Sequence, residues 1–397
     1  MPVRICLVTP GHISSNPRLM KEAITLVANK YTVHIIFTQN LRYLNIEDQK
    51  ILEKNPKISF EIINVRYFTK VMHKMLFEII GRLRVFGLHN FIYSKGYYKF
   101  LTASKKFNAD LYIAHNLAAL PIAVQAAKKN KAKCGFDAED FHRNEVSDDQ
   151  KDFQVKLKIF IENKYLKQVD YLTTASPLIA KSYQSLYPNL RPIVINNVFE
   201  LKHQPELSLN QTKHLKLFWF SQTIGKNRGL EDVIEALNII NNPLLELHLL
   251  GYLDQNDSGY FDDLANFDIN YHKPVSNSNI FELASQFDIG LALERKQPLN
   301  RDICLTNKIF TYLISGLAII ASNTKAQRKF ICENPNIGSL YSIGQIDELV
   351  ERIETLFEDR TMLNVYKANA YELAQIKYNW EMESKQFINI VEKTLHN

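Results

Sequence analysis

Residues 3–39 read VRICLVTPGHISSNPRLMKEAITLVANKYTVHIIFTQ and contain the pattern that decides the fold. The runs VRICLVT and YTVHIIFTQ at its two ends are short, apolar and rich in β-branched residues, so both predict buried strands. Between them, Asn16 stands where a helix N-cap is expected and Pro17 at the first helical position, which predicts a helix from Pro17 onward. A strand, a helix and a second strand in this order form a βαβ unit, and that unit implies a parallel sheet.

The same alternation of strands and helices continues along the chain in two series. Residues 200–214 are polar and mixed, and we interpret them as a linker between the two series. Further strands are predicted at residues 110–116, 134–140, 171–176 and 192–197 in the first series, and at 215–221, 244–251, 287–294 and 317–323 in the second.

Two series with one rhythm predict an α/β protein with two doubly wound, Rossmann-like domains that face each other across an interdomain cleft. We place the N-terminal domain at residues 1–198 and the C-terminal domain at 199–375. Residues 376–397 are predicted to form a C-terminal helix that packs back on the N-terminal domain. Ligands of such sheets bind at the carboxyl ends of the strands, so the residues directly after each strand are the candidates for function.

Length, charge and hydropathy exclude several classes of protein. The chain has 397 residues, which is comfortable for two domains, and its formal net charge of +6 does not by itself argue for nucleic acid. No stretch reaches the ~18 to 20 apolar residues of a spanning helix, and the N-terminus does not resemble a signal peptide. The four cysteines are far apart without a CxxC pair, which disfavours zinc and disulfides and indicates reduced thiols in a cytoplasmic protein.

The loop from Gly11 to Asn16 joins the first strand to the start of a helix. Gly11 allows the backbone to approach a ligand closely, and the helix start offers N–H groups and a partial positive charge. Arg18 adds a guanidinium in the first turn. A GxGxxG pattern is missing, which argues against a dinucleotide dehydrogenase. An ordinary βα turn is the alternative interpretation.

A second candidate loop, residues 221–229, reads SQTIGKNRG between a strand and a helix. Lys226 and Arg228 supply two cations, and the two glycines allow close approach of the backbone. This composition suits a diphosphate, which favours charge-assisted donors. The alternative is a solvated basic loop.

A third candidate is the helix start around Thr306, a plausible N-cap that puts Lys308 in the first helical turn. A cation there opposes the helix dipole, so the placement is unfavourable unless an anion lies nearby. Lys308 and Thr311 are three residues apart and share one helix face. Glu294, at the end of the preceding strand, points toward the same edge of the predicted sheet.

Acidic and imidazole groups follow two predicted strands of the first half. His115 ends one strand, and Asp137, Glu139, Asp140 and His142 follow at the end of the next. Such groups are candidates for acid–base catalysis or for orienting a substrate, because neighbouring strand ends meet at one edge. A buried histidine that only makes structural hydrogen bonds is the alternative.

With these residues in place, the sequence resembles a known family, the GT-B glycosyltransferases, and in particular their retaining, glycogen-synthase-like group of bacterial surface-polysaccharide enzymes. The resemblance covers nearly the whole chain, with its pieces in the family's order. The matching pieces are PGHISSNPRLMKEA, DLYIAHN, FDAEDFH, FWFSQTIGKNRGLEDVIEAL and LALERKQPLNRDICLTNKIFTYLISGLAIIAS.

The resemblance implies a role for each matching residue. Arg228 and Lys308 would neutralise the diphosphate of a nucleotide-sugar donor, Glu294 would lie against its sugar, and His115 would lie near the reacting centre. The candidate set is therefore, for catalysis, His115, Glu294 and Asp140; for the donor, Gly11, Lys226, Arg228, Asn307, Lys308 and Thr311; and for the acceptor, His12, Arg18, Asp137 and Glu139.

The resemblance also implies that the reaction needs no metal and no cofactor besides the nucleotide-diphosphate sugar, because protein cations and helix dipoles would stabilise the departing diphosphate. We see no DxD motif in a metal-binding context. One position departs from the family: many relatives carry a glutamate that holds the ribose hydroxyls where this chain has Thr311. The nucleotide base is therefore open.

The predicted activity is transfer of a sugar to a glycan or lipid-linked acceptor, with retention, in surface-polysaccharide synthesis. A nucleotide-sugar epimerase of the same fold is one alternative, and it would convert the donor without any acceptor. A protein that binds a nucleotide sugar without turnover is another, and Thr311 is the feature that favours it.

Residues 66–106 hold nine Lys or Arg and one acid, Glu78, among many aromatic residues. A basic helix with interleaved aromatics suits an anionic membrane surface. We therefore expect peripheral association with the inner face of the cell membrane through this segment. Core packing of the aromatic stripe, with a solvated basic face, is the alternative.

Overall fold

The computed structural model describes residues 2–65, 75, 78, 79, 89–253, 257, 259–276 and 279–396. The chain forms two compact units. The first domain is Met1–Ile195 together with Ser384–Asn397, and the second domain is Asn196–Glu383. Each domain is built around its own parallel sheet, as the sequence predicts.

Within the described residues, the first domain contains one sheet of seven parallel strands in the order β3-β2-β1-β4-β5-β6-β7. Its central strands are largely apolar and buried, because helices cover both faces of such a sheet. The strands are β1 (Arg4–Val8), β2 (Thr32–Phe37), β3 (Ser59–Ile62), β4 (Leu111–His115), β5 (Lys133–Ala138), β6 (Tyr171–Thr174) and β7 (Ile193–Val194).

The helices of the first domain connect these strands. The first begins as the sequence predicts: the Asn16 side chain accepts a hydrogen bond from the N–H of Leu19 at 3.0 Å, and Pro17 is the first helical residue. In chain order the helices are α1 (Pro17–Ala28), α2 (Arg42–Lys54), α3 (His89–Tyr93), α4 (Tyr97–Phe107), α5 (Leu120–Asn130), α6 (Phe153–Tyr165) and α7 (Pro177–Leu186).

The described part of the second domain holds a sheet of six parallel strands in the order β10-β9-β8-β11-β12-β13. Strand β8 continues past the predicted end at Ser221 to Ile224, with an irregularity between Phe220 and Thr223. The strands are β8 (Leu215–Ile224), β9 (Leu245–Leu253), β10 (Ile269–His272), β11 (Ile289–Ala292), β12 (Ala318–Ser322) and β13 (Gly338–Tyr341).

The helices of the second domain also connect its strands, and the residues of the last helix are divided between the two domains. It begins at Trp380 in the second domain, and its residues from Ser384 onward belong to the first. The helices are α8 (Leu230–Ile240), α9 (Tyr260–Leu264), α10 (Ile280–Ala284), α11 (Leu299–Ile303), α12 (Asn307–Ile314), α13 (Lys325–Glu333), α14 (Ile346–Glu358), α15 (Arg360–Ile376) and α16 (Trp380–His396).

The packing of α12 on β11 depends on a glycine. A Cβ at Gly290 would lie 2.3 Å from the ring of Tyr312, so only a glycine lets this fully buried ring lie against the strand. The Tyr312 hydroxyl donates a hydrogen bond to the Leu291 carbonyl at 2.9 Å. These contacts fix the start of α12, with Lys308, relative to the end of β11.

Strand order locates the ligand-binding edge in each domain. All strands run in the same direction, but the side of the sheet on which successive strands are added changes. The change falls between β1 and β4 in the first domain, and between β8 and β11 in the second. Open α/β sheets bind ligands at the carboxyl ends of the strands that flank such a change. Gly11 and Asn116 follow the first pair of strands, and Arg228 and Glu294 follow the second.

The basic, aromatic segment is described only in part, since residues 66–74, 76, 77 and 80–88 of the predicted membrane contact lie outside the described residues. In its described part, Tyr97 and Phe100 are buried in the core, while Tyr98 is 60% exposed. Among the described helices, none combines the length and the apolar character needed to cross a membrane.

Candidate functional site

In the second domain, three segments converge where β8 and β11 end. Gly229 adopts a left-handed φ of 83°, and a Cβ there would lie 2.8 Å from the Cβ of Leu293. Any larger residue would therefore be strained and crowded at once. This close approach places Arg228, one residue before, beside the segment that carries Glu294.

Glu294 is the centre of the cluster. The Lys308 ammonium lies 2.9 Å from the Glu294 carboxylate, and the Thr306 hydroxyl donates to the same oxygen at 3.1 Å. Thr306 does stand at the N-cap of α12, but no hydrogen bond from its side chain to the helix is seen in the described structure. Its hydroxyl is used on Glu294 instead, and the N–H groups of the first turn are left to another partner.

The charges of this cluster stabilise each other. Burial by itself would raise the pKa of Glu294, but Lys308, Thr306 and Arg301 outweigh it and hold the pKa below its usual value. The Lys308 ammonium also lies 5.7 Å from the ring centroid of Trp219, within cation–π range. An ionised Glu294 is thus the anion that makes a cation tolerable in the first turn of α12.

The other predicted donor residues are placed differently. The Arg228 guanidinium is half-buried and donates to the Ser221 hydroxyl at 2.8 Å. Lys226 is held by Asp257 at 3.2 Å, with its ammonium 4.1 Å from the ring centroid of Tyr260. Asn307 is exposed at the start of α12.

Thr311 is only 1% exposed and faces the interior of the second domain. The shared helix face with Lys308, expected from the spacing, therefore does not make both side chains accessible. With Thr311 buried, a ribose would have to find its hydrogen-bond partners elsewhere.

In the first domain, a cavity of about 260 Å³ opens where β1, β4 and β5 end. Gly11 contributes open space to it, since a Cβ there would meet no described atom within 4 Å. The cavity is lined by Thr9, Pro10, Gly11, His12, Ser15, Asn16, Asn116, Glu139, Asp140 and His142.

Beneath this cavity lies a buried network of four charged groups. Arg18 donates two hydrogen bonds of 2.6 Å to Asp137, one to each carboxylate oxygen. Its third guanidinium nitrogen donates to the Ile195 carbonyl. His115 lies 3.0 Å from Glu22 and 3.4 Å from Asp137. All four side chains are at most 1% exposed, so the arrangement is a fixed ion network rather than a set of free ligands.

The network sets the charge of its histidine. Burial would lower the pKa of His115, but the carboxylates of Glu22, Glu139 and Asp137 outweigh burial and raise the pKa to about 10. Burial opposes ionisation of Asp137, yet Arg18 and His115 hold its pKa below the usual value. At neutral pH the cations of Arg18 and His115 therefore face the carboxyl groups of Asp137 and Glu22. Burial raises the pKa of the Glu22 carboxyl.

Glu139 connects the network with the cavity. Its carboxylate lies 3.8 Å from the His115 ring, is 28% exposed, and lines the cavity beside Asp140. The carboxylate therefore contacts the buried histidine on one side and is accessible from the cavity on the other. The predicted catalytic and acceptor residues of the first domain thus divide into a buried support, His115, Arg18 and Asp137, and accessible groups, Glu139 and Asp140.

His12 is structural in its contacts. Its Nδ1 donates to Asp48 at 2.7 Å, and its Nε2 accepts from the N–H groups of Asn40 and Leu41 at 2.8 and 2.9 Å. Both ring nitrogens are therefore used to hold the loop after β1 against the loop after β2. The sequence reasoning assigned His12 to the acceptor and missed its partner Asp48, which is 36 residues away.

Glu22 was also missed, although it lies four residues after Arg18 on one helix face. Glu22, His115 and Asp137 present atoms within 4.8 Å of one another, a spacing that could hold a metal ion. However, Arg18 takes both oxygens of Asp137, and Thr173 donates to one of them at 2.6 Å. A protonated His115 has no lone pair for a metal, so the residues present fit an ion network better than a metal site.

No protein-family model matches the sequence, and no curated protein matches it either. The structure, in contrast, is similar to several solved proteins over its whole length. HepE from Anabaena, solved with UDP and glucose, is 14% identical with a TM-score of 0.70, and the match covers 98% of this chain and 100% of HepE.

Sucrose-phosphate synthase from Thermosynechococcus elongatus is 14% identical over 98% of both chains, with a TM-score of 0.72. TarM from S. aureus is 13% identical with a TM-score of 0.69, and the match covers 98% of this chain and 99% of TarM. At these identities the likeness establishes the fold: this chain has the GT-B fold of glycosyltransferases.

Proposed function

We propose that this protein is a glycosyltransferase that moves a sugar from a nucleotide-diphosphate sugar to a glycan or lipid-linked acceptor. One observation carries the proposal: in a GT-B fold, Lys308 pairs with Glu294 just after a central strand of the second domain. The loop that carries Arg228 approaches the same segment through the close contact of Gly229 with Leu293. These residue types match what a diphosphate bonded to a sugar requires, namely cations, backbone N–H groups and one acceptor of hydroxyl hydrogen bonds.

On the donor side, Lys308 and Arg228 neutralise the diphosphate, and the N-terminus of α12 adds its dipole and N–H groups. When the bond between the sugar C1 and the phosphate oxygen breaks, negative charge grows on the departing diphosphate. Cations fixed in place stabilise this charge without reorganisation, so we propose a reaction that needs no metal. Glu294 stays ionised beside Lys308 and accepts hydrogen bonds from the sugar.

On the acceptor side, we propose that the first-domain cavity holds the attacking hydroxyl. Its oxygen forms the new bond to C1, and its proton passes to the departing phosphate or to a carboxylate. Glu139 and Asp140 line the cavity and supply the carboxylates. His115, buried and charged, orients Glu139 rather than touching the substrate. Retention of configuration and transfer of a hexose remain proposals that rest on the family resemblance.

The ligands of the neighbours suggest the first donors to test. HepE was solved with UDP and glucose, and a mutant of TarM with fondaparinux, alpha-GlcNAc-glycerol and UDP. We therefore propose a UDP-sugar as donor. A role in surface-polysaccharide synthesis at the cytoplasmic face of the membrane, with peripheral association through residues 66–106, stays a proposal as well.

The test is binding first and turnover second. Thermal unfolding of the full chain is recorded with UDP, GDP, ADP and dTDP, because a ligand that binds only the folded state raises the midpoint. The nucleotide that gives the largest shift then identifies the donor, which is incubated with and without a membrane extract. We expect a midpoint shift in the wild type, its loss in Lys308→Met, and sugar transfer that requires the extract.

Each other outcome argues against transfer. Conversion of the donor into an isomer without acceptor would identify an epimerase, and tight binding without any product would identify a binding protein. No shift with any nucleotide would overturn the proposed donor site. Lys296→Met serves as the matched control, because Lys296 is an exposed lysine on the segment after β11.

A further inference from the structure

A second and larger cavity lies in the helical layer of the first domain. It has a volume of about 460 Å³ and is walled by α3, α4, α5 and the end of α6. The described residues that line it share no member with the cavity at the strand ends. Its volume falls in the range of roughly 300 to 1,000 Å³ that is typical of small-molecule sites.

The floor of this cavity is a fixed polar network. The amide nitrogen of Asn90 donates to the hydroxyls of Tyr165 and Tyr97 at 2.6 and 3.1 Å. The amide nitrogen of Gln125 donates to the same two hydroxyls, to that of Tyr165 at 3.4 Å. Four side chains from four helices thus hold each other in one arrangement before any ligand arrives.

One hydrogen-bond acceptor of this network is left without a donor in the described part of the protein. The carbonyl oxygen of the Asn90 side chain is buried and has no hydrogen-bond partner among the described residues. A buried acceptor without a donor is unfavourable by roughly 1 to 3 kcal/mol, and such atoms are rare in native proteins. Asn90 therefore keeps an unused acceptor in the wall of the cavity.

The rim adds flat apolar surface and positive charge. Tyr98 is 60% exposed and lies beside Phe91, with their ring centroids 5.9 Å apart. Lys128 and Lys164 are exposed at the rim, and of the described residues that line the cavity none is acidic. The Lys164 ammonium lies 3.4 Å from His89 and 5.4 Å from the ring centroid of Tyr165.

We propose that this cavity binds an acidic sugar segment of a glycan chain. Aromatic faces pack on the C–H faces of sugar rings, and the two lysines pair with a carboxylate or a phosphate on the sugar. The amide and hydroxyl side chains that line the cavity form hydrogen bonds with sugar hydroxyls. A neutral ligand offers neither lysine an anionic partner, and a free anion leaves the aromatic rings exposed to water.

The role of this site rests on the proposed function, although its existence does not. As part of a transferase, the cavity anchors one part of an acceptor glycan while another part of the same glycan reacts. Tethering raises the local concentration of the reacting end without any new contact at the catalytic residues. We therefore expect longer acidic acceptors to bind more tightly than short ones.

The test uses isothermal titration of the full chain with tetragalacturonate, with neutral cellotetraose as the matched probe. We expect tetragalacturonate to bind and cellotetraose to bind at least tenfold more weakly. Tyr98→Ala and Lys128→Glu should each weaken tetragalacturonate binding at least tenfold. Lys129→Glu is the control, since Lys129 is equally exposed but does not line the cavity.

Three results would overturn the proposal. They are no binding of tetragalacturonate, an equal loss in Lys129→Glu, and binding of anionic phosphatidylglycerol vesicles through Tyr98 and Lys128 without binding of the oligosaccharide. Lys308→Met is measured in parallel and should bind tetragalacturonate normally while losing the nucleotide. The two sites therefore fail independently, and a wrong donor assignment leaves this result interpretable.

Discussion

The Lys308 ammonium lies 2.9 Å from the Glu294 carboxylate, even though Lys308 occupies the first turn of α12, where the helix dipole disfavours a cation. An ion pair of this kind can open when a stronger anion arrives, since a diphosphate carries more charge than one carboxylate. Under the proposed function, the pair therefore holds Lys308 in place until the diphosphate of the donor arrives, and it keeps Glu294 ionised.

Removing the charge of Lys308 should strongly lower the rate of sugar transfer while the protein still folds. We expect Lys308→Met to lower donor turnover by roughly 10²- to 10³-fold, the effect of removing one charge-stabilising donor from an active site. Lys308→Arg should retain part of the activity because the charge remains. Initial rates and thermal midpoints are measured together. Unchanged turnover in Lys308→Met would remove Lys308 from the donor site.

Filling the first-domain cavity should block use of the acceptor without weakening binding of the donor nucleotide. Gly11 does not adopt a left-handed conformation, and a Cβ there points into space free of described atoms. Gly11→Leu should therefore change the free energy of unfolding by no more than about 0.5 kcal/mol. We expect it to abolish acceptor-dependent transfer while nucleotide binding stays normal, with Gly11→Ala intermediate. The reason is that Gly11, assigned to the donor from the sequence, lines the first-domain cavity that we propose for the acceptor. Full transfer by Gly11→Leu would place the acceptor elsewhere.

Breaking the buried pair of Arg18 and Asp137 should destabilise the first domain. Arg18→Met removes two hydrogen bonds and the nearer of two cations from the buried Asp137. Loss of one partner of a buried ion pair typically lowers the free energy of unfolding by about 3 to 5 kcal/mol. The double variant Arg18→Met/Asp137→Leu should recover part of this loss. Urea denaturation measures both.

The exposed pair of Lys50 and Glu47, 2.8 Å apart, provides the contrast in the same domain. Lys50→Met should change the free energy of unfolding by less than about 1 kcal/mol, because solvent screens exposed pairs. Equal effects of Arg18→Met and Lys50→Met would show that burial does not strengthen the Arg18 pair.

The charge of His115 should make stability depend on pH. Its pKa in the folded protein is about 10, above the unfolded value of about 6.5. A raised pKa contributes stability that is complete below pH 6.5 and is lost as the pH rises to 10. The difference in unfolding free energy between wild type and His115→Gln should therefore shrink across this window, as followed by denaturation at pH 6 to 10.

Glu22→Gln tests the cause of this shift. It removes the strongest carboxylate partner of His115, so the pKa of the histidine falls and the pH-dependent window ends earlier. A difference between wild type and His115→Gln that stays constant from pH 6 to 10 would mean that His115 is neutral in the folded protein.

Much of the fold followed from local pattern, but three of the four edge strands did not. The central strands, such as β1 and β4, are continuous apolar runs because both of their faces are covered. The strands absent from the sequence prediction, β3, β10 and β13, are four-residue edge strands with partly polar sequences, SFEI, INYH and GSLY. An edge strand has a neighbouring strand on one side only and is less buried, so its composition differs little from that of a loop.

The candidate site divides in the same way. The ends of apolar runs placed Glu294, Glu139 and Asp140 at strand ends, and the cap residues placed Lys308 in a first turn, because strand ends and helix starts are fixed by neighbouring residues. The sequence could not show that Arg18 and Asp137, 119 positions apart, would use up each other's hydrogen bonds.

By itself, then, the sequence determined the two series of strands and helices and the residues at their ends, since these depend on hydrophobic periodicity and capping over a few positions. Which of those polar residues face a ligand was decided only by tertiary structure. A charged side chain is either buried with a distant partner or left accessible, and the choice depends on which strands become neighbours in the sheet.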